Sequence, residues 1–106
     1  LPFFALGARG LTSVLSNYLP AEVLALYTAW AEGRREDALA LHDRLSPLAG
    51  AMFVESSPSP VKRALALSGL ISDRLRLPLV PLSSAGEAHL RAAMAQARVG
   101  QTLPVA

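Results

Sequence analysis

Residues 53–83 read FVESSPSPVKRALALSGLISDRLRLPLVPLS and contain the most informative pattern of this chain. Ser59 followed by Pro60 is typical of a helix start, because a serine can cap the first turn and proline has no N–H to lose there. Gly69 favours a helix end, since glycine readily adopts the left-handed backbone found just after many helices. We therefore predict a helix from Pro60 to Ser68.

The segment after this helix is punctuated by prolines. Residues 75–82 contain Pro78 and Pro81. Each proline disfavours a helical conformation of the residue before it and removes one backbone donor. We predict that this segment is extended and is not a central strand of a sheet.

A last helix is predicted from Ser84 to Arg98. Ser84 with Glu87 three residues later matches a capping box, in which each residue satisfies a backbone N–H of the first turn. We expect residues 101–106 to fray.

Two longer helices are predicted upstream. The first begins at Pro20 and ends at Gly33, and the second has Glu36 and Asp37 in its first turn, where acidic side chains are favourable. Pro47 lies inside the second helix and is expected to bend it, because the apolar pattern continues past it. The predicted apolar stripes are Val23, Leu26, Tyr27, Trp30 and Ala31 in the first helix, and Ala38, Leu41, Leu45, Leu48 and Met52 in the second, with Phe53 beside it.

The N-terminal residues predict a helix end and one strand. Residues 1–6, LPFFAL, are interpreted as the end of a helix, and residues 7–10, GARG, as a turn. Residues 11–15, LTSVL, are short, partly β-branched and bounded by glycine and Ser16, which predicts a strand. Because a strand needs neighbours for its backbone N–H and C=O groups, we expect it to pair with strands that this chain does not contain.

The composition excludes several classes of protein. The 106 residues and 11.2 kDa allow one domain at most. The 52% of hydrophobic residues against 17% charged indicate a surface that lies against something else. Net charge is only +2 despite a pI near 9.7, and no basic stripe with aromatic residues is present, so we predict no nucleic-acid binding. We predict no membrane span, and the absence of cysteine is typical of a cytoplasmic protein.

Lys62 is the only lysine and the first candidate for covalent chemistry. A catalytic amine needs a lowered pKa and a partner that moves protons. Arg63 adjoins it, but the pair lies at a helix start among polar residues. We favour an exposed or salt-bridging side chain, directed towards Glu55, over catalysis. Glu55 itself is a potential base, but we favour hydrogen bonds from its carboxylate to loop N–H groups.

The two histidines do not form a recognisable site. His42 and Asp43 are adjacent in a helix and point about 100° apart, and His89 has no partner at helical zinc-site spacing. No serine-hydrolase elbow or phosphate loop is present. We therefore predict no catalytic residue, no metal and no cofactor in this chain.

Several separated motifs resemble the C-terminal portion of the dihydrodipicolinate synthase and N-acetylneuraminate lyase family, and the match covers nearly the whole chain. The form of the motifs is closest to dihydrodipicolinate synthase. The segments that carry the resemblance are GARGLTSVLSN (7–17), FVE (53–55), Pro58, PVK (60–62), LRLPL (75–79) and PL (81–82).

The resemblance implies a fold and a division of the chain. The fold is mainly α: residues 1–33 would be the last strand and helix of a (β/α)8 barrel, and residues 34–106 a three-helix C-terminal extension. A complete barrel usually needs roughly 250 residues. Members of the family bind pyruvate as an imine on a lysine of the sixth barrel strand, which this chain lacks.

The resemblance also implies a substrate wall. Gly10, Leu11, Thr12 and Ser13 would line the pyruvate pocket, chiefly through backbone groups, at the end of the eighth strand. Thr12 stands where the family usually has isoleucine or valine, which adds a hydroxyl beside the substrate.

We therefore expect a fragment of a lyase whose parent condenses pyruvate with aspartate semialdehyde in lysine biosynthesis. The fragment alone is expected to be inactive and the parent to be a homo-oligomer, as the family forms tetramers. Two alternatives stay open. One is another pyruvate-dependent aldolase, such as N-acetylneuraminate lyase or a keto-sugar-acid aldolase, and the other is a stand-alone helical interaction module without catalysis.

Overall fold

The computed structural model describes residues 1–97, which form α-helices joined by irregular segments and one 3-10 turn. The described part of the chain contains no strand. The helices are α1 (Pro2–Ala5), α2 (Pro20–Ala31), α3 (Arg35–Ala51), α4 (Ser59–Leu67) and α5 (Ser84–Gln96), and the 3-10 turn is Leu15–Asn17.

Glycine ends α2 and α4, as the sequence predicts. Gly33 has φ 79° and Gly69 has φ 74°, a region that side-chain-bearing residues rarely adopt. Behind Gly33, the N–H of Arg34 donates to the carbonyl of Ala29 at 2.8 Å. Each helix therefore closes its last carbonyls with backbone donors from the following loop.

Helix α3 runs through Pro47, and Glu36 and Asp37 lie in its first turn, as predicted. Pro47 cannot donate to the carbonyl of Asp43. One residue earlier, the Oγ of Ser46 donates to the carbonyl of His42 at 2.7 Å. Leu45 before Pro47 and Leu48 after it are both buried in the core, and this packing holds the helix together despite the missing hydrogen bond. The predicted bend stays a prediction.

Helix α3 is the centre of the core. It packs against both α2 and α5, while α4 packs against α5. Most predicted stripe positions are buried, which confirms the helical periods. The buried members are Val23 and Leu26 of α2, Ala38, Leu45 and Leu48 of α3, and Met52 after it, joined by Leu90 and Ala93 of α5.

Two stripe assignments were wrong. Phe53 is 62% exposed, because α3 ends at Ala51 and the helical spacing no longer directs the side chain inward. Ala31 is exposed and Ala29 is fully buried instead. Trp30 beside it is half-buried and is covered by the guanidinium of Arg35, 3.6 Å from its ring centroid.

The predicted strand at residues 11–15 was also wrong for this chain. Residues 11–13 are irregular, and Leu15 begins the 3-10 turn. No neighbouring strand in residues 1–97 is present to accept the backbone hydrogen bonds, so the β-branched pattern has no ladder to join.

The structure differs from both predicted serine caps: the Ser59 cap of α4 does not form, and the cap of α5 is Ser83 where Ser84 was predicted. Helix α4 begins at Ser59 itself, with Pro58 as its N-cap, and the Oγ of Ser59 donates to the carbonyl of Val80 at 3.1 Å. Helix α5 is capped by Ser83, whose Oγ accepts from the N–H of Gly86, while no capping box through Glu87 forms. Tertiary partners therefore override the local cap pattern.

The proline-rich segment after α4 carries neither helix nor strand, as predicted. The predicted end of the last helix at Arg98 and the frayed residues 101–106 lie outside the described residues. Helices α2 and α3 pack together across the predicted boundary after residue 33, and that division of the chain stays a prediction.

Truncating the centre of α3 should destabilise the fold strongly. Leu48 is 1% exposed and Leu39, on the same helix, is 52% exposed. We expect Leu48→Ala to lower the free energy of unfolding by about 2–5 kcal/mol, through lost burial and the cavity left behind. Leu39→Ala should change it by less than about 0.5 kcal/mol. Urea denaturation followed by circular dichroism measures both, and equal losses would contradict this assignment of the core.

Candidate functional site

The four residues predicted to form a substrate wall lie on an irregular, largely exposed segment before α2. Leu11 is 47% exposed and Ser13 is half-buried. Gly10, Leu11 and Ser13 line a shallow groove of about 340 Å³ together with Val23, Leu24 and other residues of α2, whereas Thr12 is not part of its lining. The groove is mostly apolar and open, so its role as a pyruvate wall stays a prediction.

Side chains fix this segment to the helical body. The Oγ of Ser16 donates to the carbonyl of Ser13 at 2.6 Å, and the hydroxyl of Tyr27 donates to the carbonyl of Arg9 at 3.2 Å. Tyr18 is 2% exposed, and its hydroxyl lies 3.2 Å from the Oγ of Ser68 at the end of α4. These hydrogen bonds give the segment that lines the groove a defined backbone path.

Lys62 has a structural contact. Its Nζ donates to the backbone carbonyl of Arg74 in the segment between α4 and α5. The predicted ion pair with Glu55 does not form, because that carboxylate is bound elsewhere. An amine that holds a backbone carbonyl in this way is not presented to a substrate.

Arg63 organises the densest group of charges, which the sequence analysis missed. Its guanidinium donates from Nε and from its second amino nitrogen to both oxygens of Glu87, at 3.1 and 3.0 Å. Its first amino nitrogen lies 2.7 Å from Asp73, and Arg91 approaches Glu87 at 2.7 Å. The Glu87–Arg91 spacing of four residues was a visible signal, but Arg63 and Glu87 are 24 residues apart, so only the fold brings them together.

These contacts change the protonation equilibria of the group. Hydrogen bonds from Arg63, and then from Arg91, lower the pKa of Glu87 below its ordinary value of 4.5. The same contact with Glu87 raises the pKa of Arg63. Both effects favour the charged forms, so this cluster stabilises an ion pair and does not prepare a general acid or base.

Glu55 forms a latch between the end of α3 and the start of α5. Its carboxylate accepts from the backbone N–H of Ser83 at 3.1 Å and from the Oγ of Ser83 at 2.6 Å. The prediction that Glu55 binds a loop N–H is confirmed, although the donor is the cap of α5. A methyl group at Gly86 would overlap the carboxylate of Glu55, so the latch requires glycine there.

The histidines are not brought into a site. The Nε2 of His42 lies 3.4 Å from the Oγ of Ser46 on the same helix, and His89 is exposed on α5. Among residues 1–97, no three His, Cys, Asp or Glu side chains are arranged to hold a metal ion. None of the helices in that part of the chain combines the length and apolar character needed to cross a membrane.

A double-mutant cycle should reveal the latch. Alanine is favoured over glycine in a helix by about 0.8–1.0 kcal/mol, yet Gly86→Ala displaces a carboxylate whose hydrogen bonds contribute about 1.5–3 kcal/mol. We expect Gly86→Ala to destabilise the protein by about 1 kcal/mol in chemical denaturation. In a Glu55→Ala background the same change should become stabilising.

Gly50→Ala is the matched control for this cycle. Gly50 lies in α3 with open space around its Cα. We expect this substitution to be neutral or stabilising in both backgrounds. A stabilising effect of Gly86→Ala in the otherwise unchanged protein would contradict the latch.

The charge cluster predicts how stability depends on pH. Because the pKa of Glu87 is lower in the folded state than in the unfolded chain, its contribution is complete above about pH 4.5 and is lost as the pH falls through the folded pKa. We expect Glu87→Gln to lower stability at pH 7 and to flatten the loss below pH 4.5. Denaturation at a series of pH values measures this, with Asp43→Asn, an exposed position of α3, as control. Parallel pH profiles for Glu87→Gln and the unchanged protein would refute it.

Comparison with known proteins places these features in one family. Residues 1–97 match the Dihydrodipicolinate synthetase family. The 4-hydroxy-tetrahydrodipicolinate synthase of Syntrophus aciditrophicus is 43% identical over 94 residues, which are 89% of this chain and 32% of that synthase. The corresponding enzyme of Pelobacter propionicus is 47% identical over 93 residues, 88% of this chain and 32% of the relative.

Solved structures agree with the sequence relatives. The 4-hydroxy-tetrahydrodipicolinate synthase of Methylacidiphilum fumariolicum SolV superposes with a TM-score of 0.88 at 41% identity, covering 91% of this chain and 32% of that one. The dihydrodipicolinate synthase of Thermotoga maritima gives a TM-score of 0.86 at 38% identity, with the same coverage of 91% and 32%. The chain spans about a third of the length of the relatives it matches. The arrangement of α1 to α5 is thus that of the matching part of these synthases, and the chain belongs to the dihydrodipicolinate synthetase family.

Proposed function

We propose that this chain is the C-terminal portion of a 4-hydroxy-tetrahydrodipicolinate synthase-like lyase. The parent would hold pyruvate as a lysine imine and condense it with aspartate semialdehyde in lysine biosynthesis. The observation that carries this proposal is the continuous match of residues 1–97 to synthases about three times as long. The names of these relatives favour this activity over that of another pyruvate-dependent aldolase.

The distribution of apolar side chains supports a role as part of a larger barrel. Phe3, Leu6 and Leu24 are exposed, although α2 already buries Val23 and Leu26 in the core. A helix with apolar residues on more than one face is typical of a position between two layers. The remaining layers of a (β/α)8 barrel would cover this side, and residues 11–15 would then find the strand partners that they lack here.

The contribution of this chain to the parent would be structural. Its lysine is bound to a backbone carbonyl, and its strongest charge cluster is an internal ion-pair network. Neither arrangement supplies a nucleophile or a proton relay. Gly10, Leu11, Thr12 and Ser13 would form one wall of the pyruvate pocket, and the chain alone would be inactive.

Assembly and location follow as further parts of the proposal. The exposed apolar side chains favour association with other protein surface, and a homo-oligomeric parent in the cytoplasm is the expected form. One related structure, at 39% identity and a TM-score of 0.85, is described as a monomeric dihydrodipicolinate synthase variant. Assembly is therefore separable from the fold in that relative.

Pyruvate trapping tests the proposed division of labour. Borohydride reduces a pyruvate imine to a stable amine, so isotopically labelled pyruvate marks any lysine that forms one. We expect the 106-residue chain to remain unlabelled. A fusion to the preceding barrel strands of a related synthase should be labelled at a lysine outside this chain.

Lys62→Arg serves as the matched variant, since it keeps the charge and removes the amine. Labelling of the fusion should be unchanged by it. Label recovered on Lys62 by peptide mass spectrometry would overturn the structural role assigned to that residue, and an unlabelled fusion would count against the lyase parent.

A further inference from the structure

Residues 71–82 form an irregular strap that crosses one face of α4. Three side chains on that face hold it: the Oγ of Ser59 donates to the carbonyl of Val80, the Nζ of Lys62 donates to the carbonyl of Arg74, and Arg63 pairs with Asp73. The three positions have the i, i+3, i+4 spacing that places side chains on one side of a helix. As α4 advances, its contacts move backwards along the strap, so the two run antiparallel.

The backbone of the strap has little other support. Within residues 1–97, residues 71–82 make a single backbone–backbone hydrogen bond. In it the N–H of Leu79 donates to the carbonyl of Arg76 at 3.1 Å. The far end is fixed by Glu55, whose carboxylate accepts from Ser83. The strap therefore depends on side chains of the body, and the helical hydrogen bonds do not depend on the strap.

Burial leads to the same conclusion. Leu77 is 89% exposed and Val80 is 62% exposed, whereas Leu82 packs partly against the core. A cavity of about 210 Å³ lies where the strap meets α4 and α5, and Arg63 and Glu87 contribute to its lining. A segment with few buried apolar contacts and exposed backbone has a low free energy of local opening.

We propose that residues 71–82 open as one unit while α2, α3 and α5 stay folded, and that the contacts of α4 with Asp73 and Arg74 set the opening equilibrium. Opening would remove the wall that Asp73, Leu75 and Pro81 give to the cavity, and would expose Arg63 without breaking the helical core. The proposal concerns the chain itself and does not depend on the activity of the parent.

The chain contains its own reporters for this motion. Trypsin cleaves after arginine, and Arg74 and Arg76 lie in the strap, while Arg44 lies in the middle of α3. Because cleavage requires local unfolding, cutting after Arg74 and Arg76 reports opening of the strap, and cutting after Arg44 reports loss of the body. Peptide mass spectrometry measures these rates in one digestion of the full chain.

Asp73→Asn should raise cleavage at both strap arginines by about 2–5-fold relative to Arg44, the range expected for a partly exposed ion pair. Lys62→Met removes a different anchor. It should raise the rates of cleavage after Arg74 and after Arg76 by the same factor, because the strap opens as a unit. Asp37→Asn is the matched control: it removes an exposed carboxylate 2.7 Å from Arg34, the same distance as between Asp73 and Arg63. It should leave the strap-to-body ratio unchanged.

Two results would overturn the proposal. In the first, the strap arginines are cut at the rate of Arg44 in the unchanged chain, which would mean that strap and body open together. In the second, each substitution accelerates only the bond nearest to it, which would mean that the segment frays piecewise.

Discussion

The packing of α3 between α2 and α5 is the constraint on which the rest of the structure depends. Leu48 and Met52 are almost fully enclosed, and α3 contacts both α2 and α5. The N-terminal segment reaches the body through α2, and the strap ends at the start of α5. The N-terminal segment adds Leu15, Tyr18 and Leu19 to this core, whereas the strap contributes only the partly buried Leu82.

Polar contacts reinforce the packing between these helices and attach the strap to them. Glu55 joins the end of α3 to the cap of α5, and Arg63 joins α4 to Glu87 of α5 and to Asp73 of the strap. These groups are only partly buried, so they lose less solvation than fully enclosed ions. Their main effect is to fix the path of a segment that has no regular hydrogen-bond ladder.

Local sequence signals predicted the helices well, because helix ends are decided within a few residues. Gly33 and Gly69 end helices through a backbone conformation that suits glycine, and the apolar period of α3 survives Pro47. The predicted cap of α4 was lost because Ser59 donates to the carbonyl of Val80, 21 residues away, and the cap of α5 is Ser83, which Glu55 holds from 28 residues away. The Arg63–Glu87 pair was likewise invisible to local spacing, because 24 residues separate its members. The predicted strand does not form because residues 1–97 provide no neighbouring strand.

The family motifs of this chain lie in segments that make structural contacts. The conspicuous FVE, PVK and LRLPL segments supply Glu55, Lys62 and the strap, whose contacts are all internal. A sequence pattern can identify a family because it specifies the fold, without containing catalytic residues. The proposed function uses the apolar side of α2 with residues 10–13, which together line a groove. In the proposed parent, this surface would be one wall of a site whose reacting groups come from elsewhere.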